Sequence, residues 1–175
     1  CYGDRLFNNL TNSHLGETMV YELLKLLHVV AIIIWVGGMF FAHFFVRPAL
    51  GQLDAPVRFQ FSQQVIGSFF KVVIFASLTT LITGYWMIGR VARASSEANI
   101  PFAMPLSWTI MATLGTIMVL IFFHIRFAIF KRFSAATFAQ DWAAAAKNMQ
   151  TVRTWVGINL LLGGITVVVA LLGNI

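Results

Sequence analysis

Histidine and methionine are the residue types in this sequence that are best suited to chemistry inside a membrane. His28 and His43 lie in one long apolar stretch, and His124 lies in another. A neutral imidazole binds metal ions and haem iron, and the thioether of methionine is a soft ligand that suits copper(I). All six acidic residues lie at helix ends or in loops. The sequence therefore argues against a proton relay built on buried Asp or Glu.

Both histidines of the first apolar stretch lie on one face of the helix that this stretch predicts. At 100° per residue, Trp35, Met39 and His43 all fall within about 60° of His28. A helix in a bundle turns such a face inward. This face favours binding of an ion or cofactor by the two histidines. The alternative is core packing, in which each histidine is paired with a hydroxyl or carbonyl group.

Position along the helices suggests two different ligand sets. His43 and His124 both lie shortly before basic residues, at the same end of their helices, and are candidate axial ligands of a b-type haem. His28 lies toward the other end, where Met87 and Met111 lie at similar depth. These three residues, with His43 as an inner ligand, are a candidate metal site for copper(I). The alternative for the methionines is packing, because methionine fills gaps in apolar cores.

Four apolar stretches must position these residues. Hydrophobic residues make up 59% of the chain and charged residues only 10%, well below the ~25% of soluble domains. The stretches predict helices over residues 20–46, 65–90, 106–131 and 150–173. Each is close to or above the ~20 residues that cross ~30 Å of hydrocarbon, where backbone groups must be paired internally. The sequence predicts an all-α integral membrane protein, a bundle of four transmembrane helices.

The basic residues predict an orientation for this bundle. The net charge is +6, and the lysines and arginines are concentrated in and beside the connections between helices 1 and 2 and between helices 3 and 4. The positive-inside rule places these connections in the cytoplasm and both termini in the periplasm, as in a multi-pass protein of the bacterial inner (plasma) membrane. The basic residues form no groove, so the expected partner is the lipid bilayer and not nucleic acid.

The ends and connections carry less information. Residues 1–19 are polar and predict a periplasmic arm, in which His14 is a solvated loop residue. Cys1 is the only cysteine, which excludes an intrachain disulfide. It is either a lipid-modified residue or a truncated start. The connection between helices 3 and 4 predicts a short interfacial helix or an extension of helix 4, and glycine pairs at 37–38 and 163–164 predict close helix packing.

The first helix resembles that of the copper resistance protein D family. In "LLKLLHVVAIIIWVGGMFFAHFFVRPAL" a Leu-His pair is followed seven residues later by Trp35 and then by Gly37 and Gly38. The resemblance continues in "VRFQFSQQVIGSFFKVVIFASLTTLITGYWMIG", where an Arg-Phe-Ser-like segment leads into a helix that ends in Thr-Gly. It implies an inner-membrane protein with a role in copper uptake, export or tolerance. It supports His28 and says little about His43 or His124. Longer members have eight helices and a periplasmic copper-binding companion.

The same Leu-His and Trp pattern is similar to that of the haem-binding membrane protoporphyrinogen oxidases, which makes haem at His28 an alternative. The lysine on which those enzymes rely has no match here, so their activity is not expected. No nucleotide-binding or metalloprotease motif occurs either, and the sequence gives little support to an enzyme. Three functions remain open. They are copper handling through the histidines of helix 1, a b-haem electron-transfer subunit, and an accessory subunit of a larger membrane complex.

Overall fold

Four long helices make up most of the structure. The computed structural model describes the backbone of residues 2–173 and the side chains of residues 16–173. We number the helices α1 (residues 2–50), α2 (Ala55–Glu97), α3 (Leu106–Phe138) and α4 (Trp142–Leu172). The described residues contain no β-strand. The predicted all-α fold, with four helices long and apolar enough to cross a membrane, is confirmed.

The helices extend beyond the apolar stretches that predicted them. α2 has 43 residues, which corresponds to about 65 Å of helix. α3 and α4 both extend into their connection, which is reduced to residues 139–141. α3 ends at Phe138, and Gln140 in the connection lies in the left-handed region at a φ of 56°. The N–H of Asp141 then bonds to the carbonyl of Ala136 at 3.0 Å, a pattern that satisfies the last carbonyl groups of a helix.

α1 begins earlier and ends later than its apolar stretch. Its backbone is helical from Tyr2, so the polar segment is continuous with the membrane-spanning part. Cys1 and the side chain of His14 lie outside the described residues, and the assignment of residues 1–19 to a periplasmic arm stays a prediction. At its other end α1 runs through Arg47 and Pro48 to Leu50. A π turn ends at Val46, two residues before Pro48, in the region where proline disturbs α-helical hydrogen bonding.

Two π turns interrupt the regular winding of α1. They span Ile33–Gly37 and Ala42–Val46, and the second contains His43. A third spans Ile125–Ile129 in α3, directly after His124. A π turn bonds each residue to the fifth one along and not to the fourth. It therefore shifts the following side chains around the helix axis, away from the positions that regular 100° spacing predicts.

The helices pack as two antiparallel hairpins, α1 with α2 and α3 with α4. The core between the hairpins is aromatic, and the ring of Phe122 makes edge contacts with Trp35 and Phe70. Large apolar side chains also cover the outside, including Phe75 and Leu106, which are 73% and 74% exposed. An apolar exterior of this extent suits contact with lipid.

We refer to the two ends of the bundle by their charge. The basic end carries the connections 51–54 and 139–141, and the opposite end carries the connection 98–105.

One glycine of each predicted pair permits close packing. A Cβ at Gly38 would collide with the ring of Phe69, and one at Gly163 would lie 3.1 Å from Val36. Gly37 and Gly164 face open space.

Candidate metal-binding cavity

The imidazole of His28 is held by a threonine of the neighbouring helix. His28 Nδ1 lies 3.0 Å from the hydroxyl oxygen of Thr83 in α2. That hydroxyl donates its own proton to the carbonyl of Thr79, at 2.6 Å. When the single proton of the hydroxyl is directed at Thr79, the hydroxyl oxygen accepts from His28, and Nδ1 carries the hydrogen. This leaves the lone pair of the ring on Nε2, the form in which a neutral histidine binds a metal ion.

The glycine that follows Thr83 makes room for the same ring. A Cβ added at Gly84 would lie 3.1 Å from Cε1 of His28 and 3.5 Å from Nδ1. A side chain here would be in tighter contact than packed atoms normally tolerate. Thr83 and Gly84 together form the contact surface for His28. They are the Thr-Gly pair of the second apolar stretch, and the sequence did not reveal that they meet His28.

A cavity of about 300 Å³ lies beside His28, in the half of the bundle toward the opposite end. It is lined by His28 and by two methionines that the sequence predicts as metal ligands, Met87 from α2 and Met111 from α3. Met118 of α3 also lines it and was not among the predicted ligands. The structure thus brings three helices together around one histidine and three thioethers. Neutral nitrogen and sulfur donors of this kind favour copper(I) over hard cations.

The remaining wall of the cavity is mostly apolar and aromatic. Trp35 lies on it and is 2% exposed, and Trp108 and Tyr21 contribute further rings. Lys25 is the one lysine, arginine or acidic residue among the lining residues. No three His, Cys, Asp or Glu side chains come together anywhere in the described part of the chain. A metal ion in this cavity would therefore depend on His28 and the methionines.

His43 contacts a different helix from His28. A Cβ at Gly157 of α4 would lie 3.6 Å from Cε1 of His43, so the imidazole packs against the α4 backbone. His43 lines a second, open pocket of about 390 Å³ at the basic end, together with Arg47, Arg58 and Arg153. The predicted face of α1 is therefore divided. Trp35 and Met39 are buried as predicted, whereas the two histidines are half-buried and border separate pockets.

His124 lies away from both pockets. It is exposed, and its ring makes an edge contact with Trp155 of α4 at a centroid distance of 5.8 Å. Trp155 and Gly157 are two residues apart, which places them about 200° apart around α4. His43 and His124 thus meet different faces of the same helix. The structure gives no support to a haem held between them.

A buried amide in α4 was missed by the sequence analysis. Asn159 is 1% exposed, and its side-chain N–H group lies 3.8 Å from the sulfur of Met39. Its carbonyl oxygen has no partner among the described residues. The sequence alone could have indicated this residue, since an amide inside a membrane helix is costly and usually has a function. Asn159 lies between Gly163, at the cavity, and Gly157, at His43.

The comparison with known proteins concerns the last three helices. A family model described as copper resistance protein D matches residues 63–172, which is more than half of the chain. The matched segment includes Thr83, Gly84, Met87 and Met111 and begins after His28. No curated protein and no solved structure matches the chain.

Proposed function

The chain belongs to the copper resistance protein D family, and from this premise we propose that it binds copper(I) in the cavity beside His28 as part of copper uptake, export or tolerance. The observation that carries the proposal is the composition of this one cavity. It is lined by His28, Met87, Met111 and Met118. In this proposal the copper ion is the cargo of the protein and not a resident cofactor. Four neutral donors of nitrogen and sulfur suit a soft ion of single charge.

Each donor has a distinct part in this proposal. The Nε2 atom of His28 is the anchoring ligand, because Nδ1 is occupied by the hydrogen bond to Thr83. Met87 and Met111 supply thioethers from the two facing helices. The ligands are neutral, and the wall is mostly apolar apart from Lys25. Because no ligand would offset the charge of the ion, a monovalent cation costs less to bring to membrane depth here than a divalent one.

We propose that His43 marks the inner end of the copper pathway. Met39 and Asn159 lie between the cavity and the pocket of His43, and they are 3% and 1% exposed. The thioether and the unpartnered amide oxygen are polar groups that an ion would pass. Tight packing at this level closes the route. Passage of an ion therefore requires the helices to rearrange.

The proposed orientation places the cavity on the periplasmic side of the inner membrane. The basic end would lie in the cytoplasm, and both termini would lie in the periplasm. Copper would reach His28 from the periplasm, delivered by a copper-binding partner protein or released by a larger membrane complex. The excess of basic residues at the end away from the cavity supports this orientation.

The proposal is tested by titrating the purified protein with copper(I) in the presence of a coloured competing chelator. Loss of an outer hydrogen-bond partner alone typically weakens metal binding about 10-fold or more. His28→Ala should therefore weaken copper(I) binding by at least that factor. Met87→Leu and Met111→Leu should each have a smaller effect. The matched control is His124→Ala, which removes an imidazole outside the cavity and should leave the affinity unchanged.

Equal affinities for the His28→Ala and His124→Ala variants would contradict the proposal. An absorption spectrum of the same sample separates the alternatives. A Soret band with reduced α and β bands would favour a haem-binding subunit. A colourless protein that binds no copper would favour an accessory subunit of a larger complex.

A further inference from the structure

Three arginines converge on the pocket at the basic end. Arg47 comes from α1, Arg58 from α2 and Arg153 from α4, and His43 completes the polar lining. The rest of the wall is formed by Phe44, Pro48 and Gly51. The volume of about 390 Å³ is open to the outside, and Arg58 and Arg153 are half-buried.

These arginines have no carboxylate partners among the described residues. The three ion pairs of that part of the chain lie toward the opposite end, where Lys25 pairs with Glu22, Arg90 with Glu17 and Arg93 with Glu97. Asp54 precedes α2, four residues before Arg58, but it neither lines the pocket nor forms an ion pair within the described part.

The pocket therefore holds like charges together. Arg153 lines the same pocket as Arg47 and Arg58, so the three positive charges repel one another. Arg47 is exposed, but the repulsion between the half-buried Arg58 and Arg153 is only weakly screened by salt. A bound anion would remove this repulsion.

The shape of the charged groups indicates which anion fits. A guanidinium group presents two parallel N–H donors, which match the oxygens of a phosphate. We propose that the pocket binds a phosphate group, held by Arg47, Arg58 and Arg153. The phosphate belongs either to the headgroup of an anionic phospholipid or to free phosphate in the surrounding water. The proposal is independent of copper binding.

The surroundings of the pocket are also compatible with acyl chains. Phe44 lines the pocket, and Phe40, Phe41 and Phe45 are exposed nearby on α1. A phospholipid whose headgroup sits among the arginines would place its chains against these rings. Basic pockets between membrane helices are known to bind anionic headgroups in this way.

The test compares two triple variants of the full chain with equal change in charge. The pocket variant carries Arg47→Gln, Arg58→Gln and Arg153→Gln. The control carries Lys131→Gln, Arg132→Gln and Lys147→Gln, three exposed residues of the same end that do not line the pocket. Delipidated protein in neutral detergent is titrated with phosphatidylglycerol, with zwitterionic phosphatidylcholine and with inorganic phosphate, and binding is followed by native mass spectrometry and calorimetry.

The wild type and the control variant should bind one phosphatidylglycerol molecule more tightly than phosphatidylcholine. The pocket variant should lose at least about tenfold in affinity for phosphatidylglycerol, since hydrogen bonds to charged groups contribute strongly. Inorganic phosphate that binds with the same dependence on the arginines, without any preference for the lipid, would support the site with free phosphate as its ligand. Equal loss in both variants, or loss in neither, would overturn the proposal. If the triple variant does not fold, Arg153→Gln against Lys147→Gln gives the same comparison.

Discussion

At the scale of single residues, the ring of His28 has two nitrogen atoms and only one of them is available to a ligand. The carbonyl of Thr79 accepts a hydrogen bond from the Thr83 hydroxyl, and in this arrangement the hydroxyl oxygen accepts one from Nδ1 of His28. This chain of two hydrogen bonds orients the imidazole and favours the tautomer with hydrogen on Nδ1. Thr83 is therefore a positioning residue for the proposed copper site, although it is not a ligand.

Replacement of Thr83 tests this role. Thr83→Val keeps the shape of the side chain and removes the acceptor, so we expect copper(I) affinity to fall by about 10-fold or more. Thr83→Ser retains the hydroxyl and should restore most of the affinity. Nitrogen-15 NMR of labelled histidine should show hydrogen on Nδ1 of His28 in the wild type and in Thr83→Ser. A Thr83→Val protein with unchanged tautomer and unchanged affinity would contradict the assignment.

At the scale of helices, the contact between α1 and α2 depends on the absence of a side chain at one position. A Cβ at Gly84 would lie 3.1 Å from the imidazole of His28, so the ring would have to move slightly to accept it. Gly89 lies on the same helix, five residues further along, and a Cβ there would meet nothing within 4 Å. The two glycines therefore separate the local effect on His28 from the general effect of glycine on a helix.

We expect Gly84→Ala to weaken copper(I) binding several-fold, because the added Cβ displaces the imidazole from Thr83. Gly89→Ala should gain up to about 1 kcal/mol in helix propensity, whereas in Gly84→Ala the close contact with His28 offsets that gain. Copper titrations should show reduced affinity only in Gly84→Ala, and thermal unfolding in detergent should show the larger stabilisation in Gly89→Ala. Unchanged affinity in both variants would show that the position of the ring does not matter for binding.

At the scale of the whole molecule, charge divides the bundle into two unlike ends. Arg47, Arg58 and Arg153 lie at the basic end, and the His28 cavity lies toward the opposite end. An even number of spanning helices places both ends of the chain on one side of the membrane. The positive-inside rule then predicts which side faces the cytoplasm.

Single cysteines test this orientation in a background in which Cys1→Ser removes the one cysteine of the sequence. Ser96→Cys lies near the connection between α2 and α3, and Gln52→Cys lies between α1 and α2; both positions are exposed. We expect a membrane-impermeant maleimide to label Ser96→Cys in intact cells and Gln52→Cys only after the membrane is permeabilised. The reverse pattern would place the cavity on the cytoplasmic side.

The sequence by itself determined the number and kind of the helices. The cost of an unpaired backbone group in lipid is local, so apolar length alone predicts a spanning helix. It did not determine where the helices end, because their extensions at the basic end continue the aromatic core of the bundle. There Phe59 stacks on Trp142 and makes an edge contact with Phe133.

Only the tertiary structure decided which residues meet. It joined His28 to Thr83, 55 residues away, and it gathered Met87, Met111 and Met118 around one cavity. The structure places His43 and His124 against different faces of α4. Their positions along the helices had predicted that they bind one haem together. The physical reason is that a helix in lipid is apolar on every face, so hydrophobicity does not select the face that turns inward. Close packing at small residues and the shifts introduced by π turns set that rotation, and both depend on the neighbouring helices.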